Sequence, residues 1–449
     1  MLLPSRRRLA PVLLVAALAA ATVAVAGTGP GAAGMITCEE FVKMKVIDEV
    51  KAIAAGRVPR ECRDRKTEHQ RRDQRKRAAS QRGAGGRPAP SKGAAGGSTR
   101  PLRELLRGWP LGQLQRPADY RLPIPSFDFA TELTTASSAR NADLPFVVRN
   151  VPDVARTAAA WSRDPDSVLA PLFGELKFGV TRSSSPSFLY HDTKSSTPTW
   201  IGEHRWVSPT DTLEMNYSEW RQANEDATDG RYYYGMATVP NTYSAGSGSK
   251  YRFGFLADAL PSMTKDSAPP LLAPSPNKLN WHGLDCRLGH PSIFSEAHYD
   301  FKRNIIAMLA GEKRYLILPP TACSDLSLLP YGHPSARHSK IMLARLSSHG
   351  VEGLSRQSLT GSEDDTPPSA DDIERFFNAP ALDVHLAPGD VLHLPAYWFH
   401  AVLSLTQTVQ CNSFVGAPST TVAQDFVEDC MMRVSGEQLP GHERRRHEL

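Results

Sequence analysis

Between Phe146 and Phe414 the chain is cut into short apolar runs by Pro, Gly and Ser turns, and this punctuation restricts its fold more than any other feature. Runs of that length read as strands, and helical periods intervene at only a few places, residues 154–172 and 217–223. Alternating β-α units would need a helix after each strand. The pattern therefore predicts a mainly β architecture, a double-stranded β-helix or jelly roll with flanking helices. A hydrophobic content of 41% and seven Trp supply a real core. The length, 449 residues, allows one large domain plus appendages, or two domains.

Within this region His298-Tyr299-Asp300 puts two metal-ligand side chains on one face of an extended strand and Tyr299 on the other. In a protein with 14 His an isolated His-x-Asp carries little weight; its setting carries more. Asn304 to Ala310 and Lys313 to Pro320 read as two apolar strands joined by a tight turn at Gly311-Glu312. A lysine opening a strand is ordinarily solvated. Alternation with Tyr315 and Ile317 can instead send Lys313 inward, where an ammonium needs an anion, and a dicarboxylate co-substrate would be one.

Further on, Pro388-Gly389-Asp390 marks a turn between two alternating runs and Pro395-Ala396 a second corner. His400 then opens the strand 401–405. His393 reads as a partly buried structural histidine, and His400 as a third ligand. Two imidazoles and a carboxylate on one side of a metal leave positions open for substrate and oxygen, the facial arrangement of non-haem Fe(II) oxygenases.

The stretch Ser295-Glu-Ala-His-Tyr-Asp300, through Asn304, to Gly311-Glu-Lys-Arg-Tyr-Leu-Ile-Leu-Pro-Pro320 resembles the Jumonji-C and cupin-like 2-oxoglutarate oxygenases. Leu329-Pro-Tyr-Gly-His-Pro-Ser-Ala-Arg-His-Ser339, Pro388 to His400, Leu144 to Val151 and Leu172-Phe-Gly174 are similar to further pieces of that family. Within it the match looks strongest to the asparaginyl hydroxylase branch that inhibits the hypoxia-inducible factor. The likeness spans about residues 123–416, loosely over 178–288. It implies His298, Asp300 and His400 as catalytic iron ligands, Lys313 on the distal carboxylate of 2-oxoglutarate, and Ser295, where the family has Thr, beside it. Asn304, Asn412 and Tyr233 match further positions near the co-substrate. Glu296 departs from the pattern, adding a charge that either favours the metal or faces solvent. Fe(II) and 2-oxoglutarate are the implied cofactors, with ascorbate supportive.

The ends of the sequence suggest a compartment. Arg6-Arg-Arg8 precedes an uncharged run from Leu9 to Ala26 ending in a small-x-small sequence, so residues 1–26 read as a signal peptide or signal anchor. Arg446-His-Glu-Leu449 is similar to retrieval signals of the endoplasmic reticulum. Together they predict the lumen of the endoplasmic reticulum, with membrane attachment only if the first segment stays uncleaved. Residues 27–62 form a short helical segment in which Cys38 and Cys62 are expected to bridge. Cys286, Cys323, Cys411 and Cys430 are buried thiols or a further pair, and none has zinc-site spacing. Asn216-Tyr-Ser218 is a glycosylation sequon.

Residues 63–101 are basic, then rich in Gly, Ala and Ser. Such composition predicts a disordered linker, since low hydrophobicity cannot repay ordering entropy. Without interleaved aromatics the basic run does not read as a nucleic-acid surface. The catalytic region is expected over 118–416. Residues 347–379 look like an insertion with a short helix at 373–377, and it either shapes substrate choice or is a surface loop. Residues 417–449 hold a closing helix and the tail. The sequence thus points to an Fe(II)- and 2-oxoglutarate-dependent hydroxylase acting on protein side chains of the secretory pathway. A non-catalytic scaffold on the same barrel and a small-molecule oxygenase are the alternatives; histone demethylation fits poorly with export. Oligomeric state is not legible.

Overall fold

A computed structural model describes residues 98–415, apart from 192–199, 202–203, 206–207, 227–229, 245–249, 265–280, 330–332 and 349–367. The N-terminal segment, the Cys38–Cys62 bridge, the linker up to residue 97, most of the insertion, Cys430 and the C-terminal helix and tail lie outside these residues.

Two sheets carry the fold. One has six strands in the order Arg100–Pro101, Pro380–Leu386, Lys313–Leu318, Phe399–Ser404, Phe294–Tyr299 and Ser187–Phe188. The other has nine, in the order Ser126–Asp128, Phe146–Arg149, Val391–Leu394, Arg303–Ala310, Thr408–Val415, Trp281–Gly289, Tyr232–Val239, Phe178–Ser183 and Thr210–Met215. Nearly all pairings are antiparallel, and the two sheets face each other as a jelly roll, the cupin-like fold. The mainly β reading holds.

Alternation explains how the central strands are buried on both faces. Ile306 and Met308 pack between the sheets with Tyr315, Ile317, Val384 and Leu392. Their neighbours Ile305, Ala307 and Leu309 face the other way, against Trp161, Phe173 and Trp220 from the helices Pro152–Trp161, Pro165–Phe173 and Tyr217–Asp226. On the outside of the six-stranded sheet, Leu316, Leu318 and Phe399 meet Leu102, Leu105, Trp109 and Phe376. The single helical span read over 154–172 is two helices, the second opened by Asp164 as N-cap and Pro165. The helix near 373–377 runs Ala370–Asn378 behind a Ser369–Asp372 capping box.

Residues 100–117, upstream of the expected domain start, belong to the same core. Arg100 and Pro101 pair with Ala381 and Pro380. Arg314, fully buried, stacks its guanidinium 4.3 Å from the Trp109 ring and forms a two-pronged ion pair with Asp383. Cys286 and Cys411, register partners on neighbouring strands, are joined by a disulfide, and Cys323 is disulfide-bonded too. Asn216 of the sequon caps the Tyr217–Asp226 helix by accepting from the Glu219 N–H at 2.9 Å.

The turn at Gly311-Glu312 does not close a paired hairpin. It takes the backbone from the nine-stranded sheet to the six-stranded one, so Arg303–Ala310 and Lys313–Leu318 face each other across the interior. Gly311 sits at φ 68° with the Gln407 carbonyl packed against it; a Cβ there would stand 1.9 Å from that oxygen. Gly311→Ala is expected to cost about 2–4 kcal/mol of unfolding free energy. Urea denaturation of the full-length protein measures this, and a loss below about 0.5 kcal/mol would contradict the close approach.

Candidate metal centre and its pocket

The site is assembled by one strand pairing. Phe294–Tyr299 runs antiparallel to Phe399–Ser404, with Phe294 opposite Leu403 and Ser295 opposite Val402. The register then slips by one residue, so that His298 stands opposite His400. This bulge matters for parity. Ser295 and His298 are three residues apart, and regular alternation would put them on opposite faces. The extra residue lets both line the same cavity.

The two residues released from the ladder, Glu296 and Ala297, find other partners. The Ser339 N–H donates to the Ala297 carbonyl at 2.9 Å. The Glu296 carboxylate accepts from the Ser187 hydroxyl and the Leu343 N–H at 2.7 Å each, and from the Ala344 N–H at 3.1 Å. Glu296 is fully buried, and burial pushes its carboxyl up to about 7 against the pull of those hydrogen bonds. It neither faces solvent nor reaches the ligand cluster. Its role is to tie the 339–344 segment to the bulge.

His298, Asp300 and His400 offer ligand atoms within 4.8 Å of one another. Both imidazoles are oriented by their own strands. His298 Nδ1 lies 2.7 Å from the Glu296 carbonyl, and His400 Nδ1 lies 3.1 Å from the Trp398 carbonyl. A carbonyl only accepts, so both Nδ1 atoms carry the proton and both Nε2 lone pairs are left for a metal. Burial first, and then neighbouring positive groups at His298, hold the rings neutral: His298 falls well below the ordinary histidine value and His400 is lowered too. Asp300 is steadied from both sides, by Asn304 Nδ2 at 3.3 Å on one oxygen and Arg337 Nη1 at 3.5 Å from the other. Two neutral nitrogens and a carboxylate within reach of one another suit an Fe(II)-type ion, which His298, Asp300 and His400 would hold.

The cavity, about 190 Å³, lies between the sheets. A series of directed hydrogen bonds crosses its floor. The Tyr315 hydroxyl donates to Gln410, the Gln410 amide to Asn412, the Asn412 amide to Asn304, and the Asn304 amide to Asp300, at 2.8, 2.9, 3.2 and 3.3 Å. Each donor in the series fixes which way the next amide points. Lys313, on the same face as Tyr315 and Ile317, is buried at the far end of this series with its Nζ 5.4 Å from the Tyr234 ring. It makes no hydrogen bond or ion pair among the described residues, and burial together with the nearby Arg287 lowers its ammonium to about 7.

The structure thus brings His298, Asp300, His400, Ser295, Asn304 and Asn412 to one cavity, with the Lys313 Nζ 5.4 Å from the ring of Tyr234, which also lines it. Tyr233 is placed elsewhere. Strand alternation turns it into the helix-side core, where its carbonyl accepts from the Trp220 indole at 3.0 Å, and Tyr234 lines the cavity in its stead. His393 is outside the cavity, stacked on Phe146 at 4.6 Å and held neutral by burial, its value pulled to about 3.

Several further residues lie in or against the site. Tyr190 sits 5.1 Å from the His298 ring, and His338 stacks on that ring at 4.9 Å and 18°. His338 Nε2 accepts from the Tyr190 N–H at 3.1 Å, while its Nδ1 faces the Ser335 carbonyl at 3.2 Å. It therefore clamps two loops against the ligand strand. Gln410 was legible by parity with Asn412. Tyr190, Arg287, Arg337 and His338 come from segments whose approach to the site no local pattern announces.

Comparison with known proteins agrees with this architecture. The family model described as a cupin-like domain matches residues 139–420, more than half of the chain, and the chain belongs to that family. Two Arabidopsis thaliana proteins, named lysine-specific demethylases JMJ32 and JMJ31, are 33% and 26% identical to it over 136 and 118 residues. A tRNA wybutosine-synthesizing protein 4 of Gibberella zeae is 29% identical over 118 residues. These matches cover 28%, 26% and 26% of this protein. They span only 37%, 18% and 9% of those relatives.

The structural role of Glu296 can be separated from metal binding. Glu296→Ala leaves a hydroxyl and two backbone N–H groups without their acceptor and is expected to cost about 2–4 kcal/mol. The folded fraction should still bind Mn(II) as the unaltered protein does. A loss of Mn(II) affinity, measured by paramagnetic relaxation, with unchanged thermal stability would assign Glu296 to the metal instead.

Proposed function

We propose that this protein is an Fe(II)- and 2-oxoglutarate-dependent oxygenase. The observation that carries the reading is the pairing of a buried two-histidine, one-carboxylate cluster with a buried lysine that has no carboxylate partner among the described residues. His298, Asp300 and His400 would hold the metal. Bound Fe(II) together with 2-oxoglutarate supplies oxygen activation for insertion into a C–H bond. The protein's own contribution is arrangement. The Nδ1–H bonds fix the ligand lone pairs, and Asn304 with Arg337 keeps the Asp300 carboxylate in place. The floor series from Tyr315 to Asn304 presents oriented amides along the length of the co-substrate, and Lys313, with the Ser295 hydroxyl, receives its distal carboxylate.

The substrate class we favour is protein side chains of the secretory pathway. It is supported by the motif likeness to asparaginyl hydroxylases and by the terminal segments read as an export signal and a retrieval signal. A second reading, removal of methyl groups from lysine, draws on the names of the two Arabidopsis relatives. Both begin with oxygen insertion at a C–H bond of the substrate residue. Incubation of the full-length protein with asparaginyl and methyl-lysyl peptides, followed by mass spectrometry, separates them: a gain of one oxygen supports the first, loss of a methyl group as formaldehyde the second.

His298→Ala and Asp300→Ala are each expected to abolish iron-dependent release of succinate from 2-oxoglutarate, with near-normal thermal unfolding. Succinate release retained in both variants would refute the ligand assignment. Lys313 gives a pH signature. Its ammonium, 10.5 ordinarily, is lowered to about 7 by burial and Arg287, and a bound carboxylate must raise it again. Above pH 7 the ligand-free protein is increasingly deprotonated at Lys313 while the complex stays protonated, so binding takes up a proton and weakens as pH rises from 7 to about 9. Calorimetry of 2-oxoglutarate binding in buffers of different ionisation enthalpy measures that uptake. Lys313→Met should eliminate it, and pH-independent binding without proton uptake would contradict the role.

A further inference from the structure

The cavity holds more positive charge than one lysine on one carboxylate accounts for. Arg287 enters it from the nine-stranded sheet, opposite the sheet that carries Lys313. Its register partner is Gln410, so it stands at the Tyr315 end of the floor series and not at the Asp300 end. The guanidinium lies 4.9 Å over the Tyr190 ring, which itself lines the cavity. Arg287 also acts electrostatically on Lys313.

Neither cation has a hydrogen bond or an ion pair among the described residues. The carboxylates whose fields reach Arg287 are Asp285, which accepts from Thr238 at 2.8 Å, and Asp300, already held by Asn304 and Arg337. Two buried like charges within electrostatic reach of each other, without a contacting carboxylate, repel each other and favour a ligand that brings negative charge to that end. A planar guanidinium can also take a carboxylate through two parallel N–H bonds, which an ammonium cannot.

We propose that Arg287 is a second anchor for the distal carboxylate of 2-oxoglutarate, gripping it from one sheet while Lys313 grips it from the other. The inference rests on the co-substrate reading above and adds a consequence to it. Selectivity for a 2-oxo dicarboxylate over a 2-oxo monocarboxylate is set by two cations, because a monoacid leaves both unpaired. Arg287 is a positioning and specificity residue; it touches no metal ligand.

The test is calorimetric titration of 2-oxoglutarate and of 2-oxopentanoate, which lacks the distal carboxylate, into the full-length protein loaded with Mn(II) in the absence of oxygen. Arg287→Met should weaken 2-oxoglutarate binding about tenfold or more and leave 2-oxopentanoate binding within about twofold. Arg287→Lys should recover part of the loss, and Arg287→Gln provides a second neutral variant should the methionine form fold poorly. Unchanged 2-oxoglutarate affinity in the neutral variants, or an equal loss for both ligands, overturns the second anchor while leaving the co-substrate reading intact. Failure of the unaltered protein to bind either oxo acid overturns both.

Discussion

The one-residue slip between Phe294–Tyr299 and Phe399–Ser404 is the constraint on which the rest of the site depends. Ser295 and His298 both line the same cavity, and a regular strand cannot place residues three apart on one face. The bulge resolves that conflict and at the same time brings His298 opposite His400. Its cost is a pair of residues expelled from the ladder. The 333–345 segment absorbs this cost, through the Ser339 N–H on Ala297, the Glu296 carboxylate on Leu343 and Ala344, and the His338 ring on His298. A segment with little regular structure is thereby pinned against the metal ligands.

Around that pairing, the polar interior is organised as a directed network instead of a set of separate pairs. Every amide on the floor donates to the next toward Asp300, so the orientation of Asn304, Asn412 and Gln410 is fixed jointly. The carboxylates of the site are already engaged, and the cations at its far end are not. Burial of cations without a contacting anion is costly, and it makes that end of the cavity attractive to negative charge. The same two sheets that bury the strands on both faces keep that cavity small and its cations poorly hydrated.

The likeness to the cupin-like family and the geometry of the site reinforce each other from independent directions. The family match rests on residues along the whole domain, whereas the ligand cluster rests on three side chains and their hydrogen bonds. The three named relatives are matched over at most 37% of their length.

By itself the sequence determined the mainly β architecture and the common face of Lys313, Tyr315 and Ile317, and it singled out His298, Asp300 and His400 as a set. Strand period and turn chemistry are local properties, and a ligand triplet on one strand is visible without any partner. Only the tertiary structure decided that the Gly311 turn crosses between sheets, that Tyr234 and not Tyr233 faces the cavity, and that Glu296 is turned inward to hold a loop. It alone brought Arg287, Gln410, His338 and Tyr190 to the same place. Register, bulges and the approach of one sheet to another are set by pairing between residues far apart in sequence. No local run of side chains encodes which of two faces meets which partner, so those choices become readable only once the strands are paired.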